Sequence, residues 1–164
     1  MSRKISTPSA QGSTPKPQTK PKTAKPFPDN IDLTLSVRQP WASALVRGSK
    51  DVENRSRLTR HRGWLWIHAS KALAGIVELD ECAAIAGNRF RLPSAAEYGA
   101  IIGAVEIVGS VTESKSRWFF GPHGWVVGQR IAFTSPVPCS GMLGFWRPTP
   151  AVLAACSREL KRFT

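Results

Sequence analysis

The sequence predicts an α+β domain, a small, mixed and largely antiparallel β-barrel with helices packed on its outside. Segments with the two-residue alternation of strands outnumber segments with helical periodicity. Regular helices do not separate the strands, as they would in a parallel βαβ fold. Glycines also interrupt the longest strand, where a barrel would bend. We expect residues 31–164 to form this single domain and residues 1–30 to form a tail.

The tail is predicted to be disordered. It holds six prolines and six lysines or arginines, and Asp29 is its only acid. Such a segment cannot bury enough apolar area to offset its chain entropy. It is either a solubilising linker or a cationic arm that adds non-specific affinity for nucleic acid. Its prolines oppose the amphipathic helix of an organellar transit peptide.

Composition favours an anionic partner. The chain has 164 residues, 41% of them hydrophobic, a formal charge of +12 and a pI near 10.5, which points to nucleic acid before acidic membrane surfaces. No apolar run approaches the ~20 residues of a spanning helix, and no secretory signal is evident. Three widely spaced cysteines argue against disulfides and a zinc site. We expect a cytoplasmic monomer without a cofactor or metal.

The first strand and helix are predicted from a change of periodicity. Apolar and polar residues alternate over residues 32–37, which indicates a half-buried strand. Pro40 suits the first position of a short helix, and Gly48 suits its end. Arg38 and Gln39 should therefore lie at a strand-to-helix corner.

Two more strands follow. Residues 50–55 are too short for a helix and are predicted as a strand in which Glu53 and Arg55 share one face. Residues 56–62 form a basic loop, and residues 63–69, GWLWIHA, form the strongest strand of the chain. One face of that strand carries Trp64, Trp66 and His68.

The next elements are a helix, a turn and a long strand. Helical periodicity extends from residue 70 or 71 to residue 86. Ser94 and Glu97 have the spacing of a capping box. Residues 100–111 are rich in β-branched side chains, and the two glycines within them predict bulges. The apolar side of the helix should comprise Leu73, Ile76, Val77, Leu79, Ala83 and Ala84.

The last third is mostly strand. We predict a strand at residues 125–133, a proline-broken edge at 135–138 and a short strand at 141–146. Thr149 and Pro150 then begin a helix that reaches about residue 161.

The stretch from Ser36 to Lys71 predicts a binding cleft. It combines eight lysines or arginines with three tryptophans, a mixture suited to holding phosphates and stacking bases. Trp41 and Trp118 lie beside cations and are the candidates for stacking, whereas the other four tryptophans suit a core. The candidate ligand-binding residues are Arg38, Gln39, Trp41, Lys50, Arg55, Arg62, His68, Ser70, Lys71 and Trp118.

A cluster of charges within this stretch allows two interpretations. Lys50, Glu53 and Arg55 could form a solvated surface ion-pair group, which would contribute only about 0 to 1 kcal/mol. Alternatively, Lys50 could meet an anion, Glu53 could orient it or act as a base, and Arg55 could grip a phosphate. Glu106 lies in an apolar strand and needs a partner or a raised pKa. His68 is more often structural than a ligand.

Four segments carry a resemblance to a known family. They read SVRQPWASALVRGSKDVENR, RGWLWIHASK, WFFGPHGWVV and GMLGFWR. Together they resemble the ASCH domain family, a branch of the PUA-like RNA-binding superfamily, over roughly residues 31–146. The resemblance implies a PUA-like β-barrel with flanking helices and a cleft for RNA or a nucleotide-like ligand. By position, the signature GxKxxExR falls on Lys50, Glu53 and Arg55.

The resemblance also implies possible chemistry. Some members look like amidohydrolases that act on an acylated cytidine with a lysine, a threonine three residues later and a distant glutamate. Here Lys50 is present and Glu106 could be the distant acid, but Glu53 stands in place of the threonine. Other members are described as metal-dependent ribonucleases, for which this chain shows no ligand cluster beyond Glu53, Glu106 and scattered histidines.

The leading hypothesis is a domain that binds RNA or a modified nucleoside, and the alternative is a small hydrolase using the same cleft. In the alternative, Lys50, Glu53 and Glu106 would be catalytic. Removing the Lys50 ammonium is expected to weaken ligand binding at little cost in stability.

Overall fold

The computed structural model describes residues 28 and 30–163 of the chain. The predicted disordered tail lies outside these residues, apart from Pro28 and Asn30. The described strands are β1 (Thr34–Val37), β2 (Val52–Arg55), β3 (Gly63–Ala69), β4 (Ala100–Val111), β5 (His123–Pro138) and β6 (Phe145–Trp146). The α-helices are α1 (Trp41–Arg47), α2 (Ile76–Ala86) and α3 (Pro150–Leu160). Short 3-10 turns occupy Gly87–Arg89, Ala95–Glu97 and Lys161–Phe163.

The strands form one mixed sheet in the order β2-β5-β4-β3-β1-β6. Only the pairing of β1 with β3 is parallel among the described strands. The sheet is strongly curled. The curl brings Phe145 of β6 onto Trp125 of β5, with ring centroids 5.2 Å apart, although the two strands are not neighbours in the sheet. The predicted α+β barrel with outer helices is thus confirmed as a curled half-barrel.

Two apolar clusters lie on the two faces of the sheet. On one face Leu65 and Ile67 of β3 pack with Leu45 of α1. On the other face Trp66 packs with Cys156 of α3, so the alternation predicted for β3 is confirmed. All three cysteines of the chain are free thiols.

The glycines of β4 mark irregular pairing, as predicted. The ladder between β4 and β5 shifts register next to Gly103 and again next to Gly109. At Gly103 the neighbouring chain comes so close that a Cβ atom would lie 2.1 Å from the carbonyl oxygen of Ile131. A side chain there would force the two strands apart.

The predicted helix over residues 70–86 begins later than expected, at Ile76. Its predicted apolar side is also wrong, since Leu73, Ile76 and Val77 are exposed and Cys82 is the one fully buried residue of α2. Periodicity predicted an amphipathic helix but not whether a second layer covers its apolar side. Near its C-terminal end, α2 packs beside α1 through Cys82 and Ala44.

The last strands differ in length from the prediction. β5 continues through the expected proline break to Pro138. Its register explains this, because Val137 pairs with Ile101 and Ala132 with Gly103, so four residues of β5 face one of β4. Pro136 lies in that bulge, where a missing N–H breaks no ladder bond. β6 is only Phe145–Trp146.

The helix caps follow their predictions. The carboxylate of Glu97 accepts from the backbone N–H of Ser94 at 2.7 Å, which completes a capping box. Thr149 caps α3 by accepting from the N–H of Val152 at 3.4 Å. Among the described residues, no helix is long and apolar enough to cross a membrane.

Candidate functional site

An open pocket of about 410 Å³ lies where β1, β2 and the start of α1 meet the segment before β5. Its wall is formed by the end of β1 and the strand-to-helix corner after it, by Lys50 and β2, and by Phe120. It is lined by Ser36, Val37, Arg38, Trp41, Lys50, Glu53, Asn54, Arg55 and Phe120. Five of these residues, Arg38, Trp41, Lys50, Glu53 and Arg55, are ones that the sequence singled out.

Lys50 and Glu53 form a buried ion pair at the base of the pocket. Lys50 is 2% exposed and Glu53 is 7% exposed. The Lys50 ammonium donates to Glu53 Oε2 at 2.9 Å and also to the carbonyl oxygen of Val52. Because an ammonium carries three hydrogens, these two contacts leave one of them uncommitted. The interpretation as a solvated surface ion-pair group is therefore wrong.

Arg55 adds a third charge to this pair and connects it to β1. It meets Glu53 Oε1 at 3.0 Å and donates to the carbonyl oxygen of Ser36 at 3.3 Å. Its guanidinium carbon also lies 5.4 Å from the centre of the Trp125 ring, a cation–π contact. Arg55 thereby joins β2 to β1, which are not neighbours in the sheet, and still lines the pocket.

The two corner residues take different positions. Gln39 is fully buried and its Oε1 accepts from the backbone N–H of Ser43 at 3.1 Å. It therefore holds the first turn of α1 and is absent from the pocket wall. Arg38 is exposed, lines the pocket, and meets Glu78 of α2 at 3.4 Å.

The aromatic wall consists of Trp41 and Phe120. Trp41 meets Trp118 edge to face, with ring centroids 6.2 Å apart. Trp118 is only 5% exposed and packs against Ala44 and Cys82, so it orients Trp41 and does not line the pocket itself. Phe120 is 68% exposed and offers a second ring face.

Asn54 fixes the segment that carries these aromatic residues. Its amide nitrogen donates to the carbonyl oxygen of Trp118 at 2.7 Å, and its amide oxygen accepts from the N–H of Phe120 at 2.8 Å. Neither Asn54 nor Phe120 was among the predicted ligand-binding residues. Asn54 lies inside the GxKxxExR signature and Phe120 inside the segment WFFGPHG, so the quoted segments already held the signal.

A second pocket of about 400 Å³ adjoins the first through Ser36, which lines both. Three predicted ligand-binding residues, His68, Ser70 and Lys71, lie in its wall. The rest of its lining includes the loop 140–143, in which Met142 and Leu143 are exposed. Seven of the ten predicted ligand-binding residues are thus divided between two adjacent pockets, and Gln39, Arg62 and Trp118 line neither.

His68 is held in one tautomer by its neighbours. Trp146 Nε1 donates to Ser36 Oγ at 3.1 Å, and Ser36 Oγ lies 3.2 Å from His68 Nδ1. His68 Nε2 lies 3.2 Å from the carbonyl oxygen of Cys139, which can only accept, so Nε2 carries the hydrogen. Burial lowers the pKa of His68 below its usual value, the Cys139 carbonyl opposes this shift, and Lys71 adds to it. The ring is neutral at pH 7.

Glu106 and Arg62 lie outside both pockets. Val105 and Ile107 belong to the cluster on the α1 face, so Glu106 between them points to the other face. Its carboxylate accepts from the N–H of Gln129 at 3.4 Å. Arg62 is exposed and donates to the backbone of its own loop. Within the described residues, no three His, Cys, Asp or Glu side chains are grouped to hold a metal.

Known proteins are similar to part of this sequence. The human and mouse proteins named Activating signal cointegrator 1 are 39% identical over 87 residues and 38% identical over 85 residues. The alignments cover 51% and 49% of this chain but 15% of each relative. The chain therefore matches a small part of the length of these relatives.

Two crystal structures of the ASCH protein from Zymomonas mobilis are similar at low sequence identity. The unmutated protein has a TM-score of 0.45 and 13% identity, covering 80% of this chain and 94% of that one. A point mutant has a TM-score of 0.46 and 14% identity, covering 84% and 99%. The sequence model of the ASCH domain family matches residues 35–119, which is more than half of the sequence. The chain belongs to the ASCH domain family.

Proposed function

We propose that this domain binds RNA, or a modified nucleoside within RNA, in the cleft formed by the two pockets that share Ser36. The observation that carries the proposal is the buried Lys50 ammonium, which keeps one hydrogen at the base of a pocket of about 410 Å³. A buried ion pair is weak evidence for stability, because apolar residues of similar size often serve as well. Its place at the pocket base supports a role in recognition.

The charges of the first pocket suit an anionic or strongly polar ligand. Arg38, Lys50 and Arg55 line it together with a single carboxylate, that of Glu53, so its formal charge is positive. Glu53 accepts from both Lys50 and Arg55 and thereby holds the two cations in fixed positions. Preset donors of this kind match a phosphate or a base carbonyl at little ordering cost.

The aromatic wall suits a base. Trp41 is held edge-on by Trp118, and Phe120 is anchored through its backbone by Asn54. Stacking on an aromatic side chain contributes about 1–3 kcal/mol per base and tolerates any base. Cations beside rings are the combination that single-stranded nucleic acid requires, which favours RNA over an acidic membrane surface.

The hydrolase alternative receives less support. An amidohydrolase mechanism would need a distant acid near Lys50, and Glu106 lies on the other face of the sheet and lines neither pocket. Glu53 already accepts from Lys50 and Arg55, which suits an orienting role better than that of a base. Membership of the ASCH family supports binding. The cytoplasmic, monomeric state stays a prediction from the sequence.

The test removes the buried charges of Lys50 and Glu53 together, and the glutamine oxygen still offers an acceptor to Arg55. Lys50→Met with Glu53→Gln is expected to weaken binding of single-stranded RNA roughly 10- to 100-fold, since a charged hydrogen bond contributes about 1.5–3 kcal/mol. Fluorescence anisotropy on a panel of labelled RNAs measures this. Incubation with acylated nucleosides, scored for loss of the acyl group, tests for turnover.

A control pair of the same three-residue spacing lies at the end of α3, where Arg162 of the following 3-10 turn meets Glu159 at 3.0 Å. The control variant Arg162→Met with Glu159→Gln should bind RNA as the wild type does. Equal binding by all three proteins would refute the cleft. Release of an acyl group by the wild type, lost in the Lys50 variant, would favour the hydrolase.

A further inference from the structure

A second strongly basic surface lies beside the cleft. It is a shallow depression of about 760 Å³ at the C-terminal end of α1. Four arginines from three separate segments converge on it, and its other lining residues carry no charge. We call it the arginine face, and it comprises Arg47, Arg89, Arg91 and Arg130.

Little acid offsets these four charges. Arg47 pairs with Glu97, whose carboxylate is nearly buried. Arg89 and Arg91 are exposed, and neither forms an ion pair with a described residue. Arg91 donates one hydrogen bond to the carbonyl oxygen of Phe90. Most of its five guanidinium N–H groups are therefore left to solvent.

Arg130 connects this face to the cleft. Its guanidinium donates to the carbonyl oxygen of Lys50 at 3.0 Å and to that of Gly128 at 3.2 Å. Burial lowers the pKa of Arg130, and Asp51 opposes the shift. The backbone of Lys50 therefore rests on the arginine face while its ammonium lines the cleft.

Helix α1 sets the separation of the two surfaces. Its first residue, Trp41, lines the cleft, and its last residue, Arg47, lies on the arginine face. A helix of 7 residues rises about 10 Å. A strand of RNA held at Trp41 could reach this face with the nucleotides that follow.

We propose that the arginine face binds backbone phosphates of the same RNA strand whose bases occupy the cleft. The inference rests on the proposed function and deepens it, because it makes the ligand an oligonucleotide instead of a single nucleoside. Arginine is suited to this task, since its planar fork matches phosphate oxygens two at a time. The contacts would carry affinity without sequence preference.

The test reverses the two exposed charges in Arg89→Glu with Arg91→Glu. The matched control is Arg158→Glu with Lys161→Glu, two exposed cations at the end of α3. Both variants change net charge equally, and melting curves confirm that each is folded. Two probes are used: a trinucleotide that only the cleft can hold, and a single-stranded RNA of about 20 nucleotides, longer than common site sizes of ~4–16.

We expect the arginine-face variant to lose affinity for the long RNA while it binds the trinucleotide as the wild type does. Two lost phosphate contacts lower the slope of log affinity against log salt by about 1.4, since each contributes about 0.7 on a single strand. Between about 50 and 200 mM salt, the wild type should therefore lose roughly sevenfold more affinity than the variant. The α3 control should follow the wild type.

Four results would overturn the inference. Equal losses in both charge-reversed variants would mean that only net charge matters. Unchanged long-RNA binding, with loss in the Lys50→Met, Glu53→Gln variant, would leave the proposed function standing and remove the arginine face from it. If the wild type binds neither RNA, the proposed function fails and this inference fails with it. Binding of anionic vesicles through Arg89 and Arg91 without RNA binding would reassign the face to membranes.

Discussion

Burial changes the expected cost of removing the Lys50 ammonium. The sequence predicts that this loss would cost little stability, because a cation directed at a ligand in a cleft would not hold the core together. In the structure Lys50 is buried against Glu53. Removing one partner of a buried pair typically costs about 3–5 kcal/mol. Arg55 still meets Glu53 at 3.0 Å, so we place the cost at the lower end of that range.

His68 makes stability depend on pH. Its folded pKa lies below the usual 6.5 because of burial, so between those two values the unfolded chain binds a proton that the folded chain does not. The part of the free energy of unfolding that depends on neutral His68 should therefore be complete above about pH 6.5. It should decrease as the pH falls toward the folded pKa. Urea unfolding across this range measures the slope.

The variant His68→Gln removes the titrating ring and should flatten that slope. His123→Gln, which changes a histidine outside the Ser36 network, is the matched control and should keep it. If the slopes of wild type and His68→Gln coincide, another group causes the acid sensitivity.

At the level of single residues, the sequence predicts chemistry better than position. The signature placed Lys50, Glu53 and Arg55 together, and the structure brings them to one pocket. Ser36, which lines both pockets, was not predicted to contact ligand. Arg55 of β2 donates to the carbonyl oxygen of Ser36 in β1, and local patterns do not predict this contact because the two strands are not neighbours in the sheet.

At the level of elements, most correct predictions come from hydrophobic periodicity and from helix-capping residues. β3 and β4 have the predicted bounds because their alternation and β-branched residues agree with two covered faces. α2 and β5 do not, since the start of α2 and the continuation of β5 past its prolines depend on neighbours that local patterns do not contain. The bulge opposite Ile102 that accommodates Pro136 is set by β4.

Asn54 gives a prediction at this scale, because one side chain anchors the segment 118–120 to β2. Asn54→Ala removes two hydrogen bonds and should cost about 1–3 kcal/mol. Hydrogen exchange should accelerate at residues 118–120, and RNA affinity should fall because Phe120 lines the pocket. Gln129→Ala, which truncates an exposed amide on β5, is the control. Unchanged exchange at 118–120 in Asn54→Ala would show that packing alone holds the segment.

At the scale of the whole molecule, truncation tests whether the basic tail contributes to RNA binding but not to the stability of the domain. Residues 1–27 contribute six cations, and their removal should leave the melting temperature unchanged while lowering the salt slope of RNA binding by up to about 0.7 per lost contact. A deletion of residues 1–33 is the contrasting case, since it removes the buried Ile31, whose carbonyl oxygen accepts from Trp66 Nε1 at 2.9 Å. That chain should melt at a lower temperature. Similar melting of all three would mean that Ile31 contributes nothing to the core.

The Lys50 contact with Val52 also bears on self-association. β2 is an edge strand of the sheet, and Asp51 gives its carbonyl to the N–H of Val127 on β5. The next carbonyl, that of Val52, therefore points away from the sheet, where the chain of a second molecule could pair with it. The Lys50 ammonium occupies that acceptor. A substitution at Lys50 would therefore weaken ligand binding and also free the Val52 carbonyl oxygen for pairing with another molecule. Precipitation and loss of binding would then have the same origin.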